Sequence, residues 1–211
     1  MTEPAVSTSL PHGPLPGATV HVCVDMQRLF AEETSWASGA VAAALPGALQ
    51  LANGFRGRTV FTRFIPAISA AAAERAWQTY YRAWADVTLD HLDPDLLDLV
   101  PDLARRTGGA PVVDKTTFGA FESPAFGGLP AIDRAEALIF SGVETDMCVL
   151  ATLMAAIDRG YRCILAVDAV ASSDTAGHRA VVEVLAPRLP EMIETATVDA
   201  ILAARVPAAT S

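Results

Sequence analysis

Three residues of this sequence have the types and settings that nucleophilic chemistry requires: Asp25 in VCVDMQRLF, Lys115 in VVDKTTFGAF and Cys148 in SGVETDMCVLAT. Asp25 directly follows an apolar run, where a carboxylate is partly desolvated and is pushed toward general acid or base duty. An aspartate that merely caps the next turn would read the same way. Lys115 is the only lysine of the chain, all other cations being arginine. A compact ammonium fits beside a carboxylate and a thiolate in a small cavity where a planar guanidinium would not, although a solvated loop lysine remains the plain alternative. Cys148 falls in the first turn of a helix expected to begin near Asp146. Free amide N–H groups and the positive end of the helix dipole there favour a thiolate and lower the thiol's pKa, and the same amides could hold the oxyanion of a tetrahedral intermediate. Cys23 and Cys163 lie inside apolar runs and read as small buried hydrophobes.

These residues need a scaffold that brings distant stretches together. The chain of 211 residues suits one domain, and its hydrophobic content of 52% with 18% charged residues is that of a packed globular protein. Residues 1–17, rich in proline with Ser and Thr, read as a flexible tail, and 18–211 as the single domain. Short β-branched runs at 18–24, 58–64, 110–114, 137–142, 161–167 and 192–197 alternate with helical stretches near 37–54, 71–86, 94–106, 146–159, 175–187 and 198–205. That alternation is the pattern of an α/β fold with a parallel sheet covered by helices on both faces. Ligands of such sheets bind beyond the carboxyl ends of the strands, and Asp25, Lys115 and Cys148 each follow a strand.

The net charge of -9, without a basic cluster, argues against nucleic acid and anionic membranes as partners. No apolar stretch reaches the ~18 residues of a transmembrane helix. No Lys or Arg precedes Arg28, so no basic leader start is present and a cytoplasmic location is expected. Three cysteines without CxxC spacing form neither a disulfide framework nor a zinc site.

VDMQ, DKTTFGAF and SGVETDMCVLAT, in that order at three strand ends, resemble the cysteine hydrolases of the isochorismatase-like superfamily, which include nicotinamidases, N-carbamoylsarcosine amidases and biuret hydrolases. AVDAVASS at 166–173 is similar to the family as well. The resemblance covers about residues 18–200. It implies a three-layer α/β/α sandwich with a six-stranded parallel sheet ordered 3-2-1-4-5-6 and an Asp25–Lys115–Cys148 triad. It also implies a cis peptide between Val143 and Glu144, with the amides of Glu144 and Cys148 forming the oxyanion hole. The activity implied is hydrolysis of a small amide, imide or ureido compound through a thioester. Two alternatives stand beside it: a vinyl-ether hydrolase resembling isochorismatase, and a catalytically silent binding or scaffold protein on the same fold.

The sequence departs from the nicotinamidase pattern. Where that branch carries an Asp-x-His metal site after the second strand, this chain reads FTRFIP, and no histidine occurs between His21 and His91. No metal and no other cofactor is therefore expected. Arg63 is a candidate to bind a substrate carboxylate, or else a surface arginine paired with an acid. Phe118 and Phe121 are candidate pocket walls. Trp77, Tyr80, Tyr81 and Trp84 share a broad helical face that reads first as core or subunit interface, the alternative being that this insert folds over the cleft or a neighbouring subunit and excludes water. His178, after the cap-like Asp174 and Thr175, reads as structural. A small-molecule substrate and a homo-oligomer, dimer or tetramer, are the partners expected.

Overall fold

In a computed structural model of the chain, residues 9–205 are described. Six strands form one all-parallel sheet in the order 3-2-1-4-5-6. They are β1 (Thr19–Val24), β2 (Thr59–Phe64), β3 (Val112–Lys115), β4 (Ala137–Gly142), β5 (Arg162–Val170) and β6 (Ile193–Ala196). The central strands β1 and β4 are buried along their whole length, because helices cover both faces and leave no side for polar alternation.

Side chains alternate between two cores. Val20, Val22 and Val24 of β1 and Leu138 and Phe140 of β4 face a cluster that holds Val149, Leu153 and Ile157. On the other face, Ala137 and Ile139 meet Leu51, Phe55 and Ile201, while Cys23 packs with Ala44 and Ala48. The helices that supply these residues are α1 (Ala40–Gly54), α3 (Leu150–Ile157) and α5 (Val198–Ala203). Between them, α2 (Ala76–Ala83) lies in the β2–β3 crossover and α4 (Thr175–Arg179) follows β5, extended by wider turns through Arg188.

Three features differ from the sequence expectations. The stretch 94–106 is not one helix but two short turns, Pro94–Leu97 and Pro101–Ala104, because Pro101 can start a turn but cannot continue one. Short turns over Ala120–Glu122, Pro124–Gly127 and Pro130–Asp133 also fill the β3–β4 connection. Finally, the part of the expected tail that is described is packed rather than loose. Leu10 and Leu15 are buried against Leu51, Phe55 and Ile201. The Leu15 amide donates to the Ala204 carbonyl, and the Arg162 guanidinium donates to the carbonyls of Gly13 and Pro14. Two leucines with backbone partners anchor a segment whose composition alone suggests no packing. Residues 1–8 of the expected tail lie outside the described residues.

The order 3-2-1-4-5-6 reverses direction between β1 and β4, which opens a crevice at their carboxyl ends. Gly142 closes the bottom of that crevice with φ +107°, and a Cβ there would fall 2.0 Å from the Val24 carbonyl oxygen, so only glycine lets the two strand ends approach. Among the described residues, no helix is long and apolar enough to cross a membrane.

One buried polar group lies beneath this crevice. His21 is fully enclosed, with Nε2 2.7 Å from Ser141 Oγ and Nδ1 3.2 Å from Thr59 Oγ1, and burial lowers its pKa from 6.5 to about 3. Below pH 6.5 the unfolded chain binds a proton that the folded chain refuses, so stability present above that pH drains away toward pH 3. Urea unfolding between pH 6 and pH 4 should show His21→Gln losing less stability than wild type, by about 1.4 kcal/mol per pH unit. Parallel pH profiles would show that His21 plays no such part.

Candidate active site

Asp25 follows β1 in a left-handed conformation, φ 49°, which aspartate tolerates better than most side chains. Its Oδ1 accepts the Thr62 hydroxyl at 2.6 Å, and its own amide donates back to Thr62 Oγ1 at 3.2 Å. Gln27 locks the next residues: its Oε1 accepts the Phe64 amide at 2.6 Å and its Nε2 donates to the carbonyls of Phe64 and Leu97. The ends of β1 and β2 are thereby tied together, and Asp25 has little freedom to turn.

Lys115, the last residue of β3, places Nζ 2.6 Å from Asp25 Oδ2. This contact is the ion pair that joins the ends of β1 and β3. The ammonium also donates to the Thr117 carbonyl at 3.0 Å and lies 5.0 Å from the centre of the Phe64 ring. Asp25 is 0% exposed and Lys115 2%. A charged pair this deep is tolerable because each charge neutralises the other and both have further polar contacts.

Cys148 sits in a π-helical turn, Thr145–Val149, that leads into α3. The turn is fixed at its start, where the Glu144 carbonyl accepts the amides of Met147 and Val149 and the Thr145 amide donates to Ala171. The Val143–Glu144 peptide is cis. The thiol lies within hydrogen-bonding influence of both Asp25 and Lys115. Burial pushes its pKa up first, and the Asp25 charge pushes it further; Lys115 pulls the other way without prevailing. The lowered thiol pKa expected from the helix position is therefore corrected. Desolvation and an adjacent carboxylate favour the thiol form and outweigh the dipole and an ammonium already neutralised by Asp25. Burial lowers the Lys115 pKa, but Asp25 and Cys148 raise it more, so the net shift is upward and the lysine is charged.

Above the sulfur opens a cavity of about 250 Å³ with an aromatic wall: Phe30 and Trp36 from the β1–α1 loop, Phe64 from β2, Tyr80 and Trp84 from the α2 segment, and Phe118 after β3. Ser35, Glu144 and Ser173 provide polar spots. Trp36 joins the rings, stacking on Phe30 at 6.0 Å and meeting Phe64, Tyr80 and Trp84 at 5.8–6.3 Å.

A family model described as isochorismatase domain matches residues 19–197. The chain belongs to the isochorismatase family. It is a hydrolase of that family. The fold is similar to that of a cysteine hydrolase from Pseudomonas syringae pv. phaseolicola 1448A, with a TM-score of 0.73 and 20% identity over 97% of this chain and 98% of that one. It is also similar to N-carbamoylsarcosine amidase from Thermoplasma acidophilum (TM-score 0.66, 19% identity, 86% and 96% covered). A third likeness is to nicotinamidase from Bacillus subtilis (TM-score 0.67, 17% identity, 85% and 99% covered).

Within this family fold the candidate residues separate. Asp25, Lys115 and Cys148 converge, Val143 and Glu144 flank the sulfur-bearing turn, and Phe118 lines the cavity. Arg63 does not reach it: the guanidinium is bound to Asp114 at 2.8 Å and Asp98 at 2.9 Å over a surface groove. Strand alternation explains this, because Thr62 and Phe64 face the site and Arg63 must face away. Phe121 also misses the cavity and packs against Phe126 and Tyr161 in the core. The α2 aromatics split: Tyr81 is buried and Trp77 packs on Phe118, whereas Tyr80 and Trp84 wall the cavity. The expectation that the whole face would be core or interface is thus corrected for those two. His178 places Nδ1 2.9 Å from the buried Thr145 hydroxyl, bracing the turn that carries Cys148. Trp36, Phe64 and Thr62 were not anticipated. Only the alternation of β2 marks Thr62 and Phe64, and nothing in the sequence near Trp36 marks it.

Removing one partner of the buried pair should be costly. Lys115→Met should lower stability by about 3–5 kcal/mol in urea unfolding, and adding Asp25→Asn should restore much of the loss. A Lys115→Met protein as stable as wild type would remove the pair from any structural role. Thr62→Val should reduce kcat about tenfold by freeing the carboxylate to rotate, with Thr62→Ser restoring most of the rate.

Proposed function

We propose that this chain is a cysteine amidase that cleaves the C–N bond of a small amide, imide or ureido compound by way of a thioester on Cys148. The observation that carries the reading is the placement of a buried thiol against a buried carboxylate–ammonium pair at the floor of an aromatic-walled cavity. As the sulfur attacks the carbonyl carbon, its proton passes to the Asp25 carboxylate, which lies within hydrogen-bonding reach of the thiol. The amides of Glu144 and Cys148 hold the oxyanion. Asp25 then hands the proton to the leaving nitrogen as the C–N bond breaks. It next takes a proton from the water that attacks the thioester, and the thiol is regenerated with release of the acid. Lys115 keeps the carboxylate oriented and offsets charge on the sulfur. Amidase and nicotinamidase among the structural relatives support the amide class.

Metal chemistry does not fit the residues present: the β2 end supplies Arg63 turned outward, then Phe64, Ile65 and Pro66, with no imidazole. No step is routed through a metal. The vinyl-ether alternative has no need of a cysteine nucleophile, so a thiol at the cavity floor favours amide chemistry over it. The silent-scaffold alternative leaves the buried pair unexplained, since two apolar residues would fill the same space at lower desolvation cost.

Cys148→Ala should abolish ammonia release from small amides while leaving the unfolding midpoint within about 1 kcal/mol of wild type, and Asp25→Asn should cost about 10²–10⁴-fold in kcat. Substantial turnover by Cys148→Ala would remove the mechanism. Because the thiol pKa is raised above its ordinary value of 9.0, alkylation of Cys148 by iodoacetamide in resting enzyme should still be accelerating at pH 9. A plateau reached below pH 8 would instead identify a preformed thiolate.

A further inference from the structure

The polar part of the cavity is as informative as its aromatic wall. Glu144 lines the cavity beside Cys148, and donors hold its carboxylate from the protein side. Oε1 accepts the Ser173 amide at 3.1 Å and Oε2 the Ser173 hydroxyl at 2.8 Å, with the Ser38 hydroxyl at 3.5 Å, while the Ser172 hydroxyl donates to Asp146 at 2.6 Å. Every partner is a neutral donor, the arrangement that suits an ionised carboxylate. Among the described residues no Lys, Arg or His forms an ion pair with it. The catalytic pair at the cavity floor is neutral as a unit, so Glu144 leaves the cavity with one uncompensated negative charge. Across the same cavity stand rings whose π faces attract cations.

We infer that the substrate of this hydrolase carries a positively charged nitrogen, an ammonium or alkylated ammonium, seated between the Glu144 carboxylate and the rings of Trp36, Tyr80 and Trp84, while its amide carbonyl lies over Cys148. The inference rests on the amidase reading and narrows it. A neutral carboxamide can donate an N–H to the carboxylate but gains less than a cation does, and a carboxylate-bearing one would be repelled by it. A cation gains from both the charge and the rings, and the low dielectric of the aromatic wall strengthens the attraction.

Two benzamides of matched shape test it: 4-(trimethylammonio)benzamide and 4-tert-butylbenzamide, which differ in charge and hardly in volume. Binding to Cys148→Ala, read by quenching of tryptophan fluorescence, separates recognition from turnover. The ammonium compound should bind about tenfold more tightly than its tert-butyl twin, and the preference should weaken as salt rises. In Cys148→Ala with Glu144→Gln the ratio should fall toward one. In Cys148→Ala with Trp84→Leu, a change at the half-open rim, it should shrink partway. Equal or tighter binding of the tert-butyl compound, or binding of neither at millimolar concentration, would overturn the inference. Failure of the amidase reading is a separate event, seen as ammonia release that survives Cys148→Ala.

Discussion

A carboxylate and an ammonium held 2.6 Å apart with almost no access to water are the constraint around which this molecule is arranged. Desolvating either ion alone would cost several kcal/mol, so the fold must deliver both or neither. Delivery requires β1 and β3 to end at the same depth, although β2 lies between them in the sheet. The intervening strand is therefore more than a spacer. Its Thr62 holds one carboxylate oxygen and its Phe64 lies beside the ammonium. The other carboxylate oxygen takes the ion pair with Lys115, so each side of Asp25 is held by a different strand.

The thiol fits the same logic. A permanently ionised sulfur in an enclosed, aromatic-walled site would need a counter-charge of its own, and the only ammonium there already has one. A thiol needs no such counter-charge, and burial together with the Asp25 carboxylate favours that form. The π-helical turn contributes geometry more than charge, since its opening residues are secured by the Glu144 carbonyl and by Ala171.

Much of this could be read from the sequence, and for identifiable reasons. Strands that are apolar throughout leave strong local signals, so all six and their order were expected, the order through the family resemblance. Asp25 breaks an apolar run at its carboxyl end, Lys115 stands out at another as the chain's one lysine, and Cys148 falls at the helix start that follows a third, which makes them visible. What escaped was set by direction or by distance. Arg63 and Phe64 are neighbours whose roles are exchanged by the pleat of the strand. Phe118 and Phe121 are three residues apart, yet one walls the cavity while the other packs against Phe126 and Tyr161. Trp36 lies in a loop with no periodicity to mark it, and its importance arises from four ring contacts with remote residues. The protonation state of Cys148 depends on burial and on a carboxylate more than a hundred residues away, neither of which a helix-start signal contains.

The cavity wall is assembled from side chains on separate crossovers, each leaving a different strand, whereas the proton-transfer groups are anchored by strand ends and by hydrogen bonds that the wall residues mostly do not share. Substitution of a ring on one loop can thus reshape what the protein accepts without disturbing the atoms that break bonds. A scaffold partitioned in this way can diversify quickly: duplicated copies can acquire new preferences through a few loop changes while inheriting an intact reaction centre.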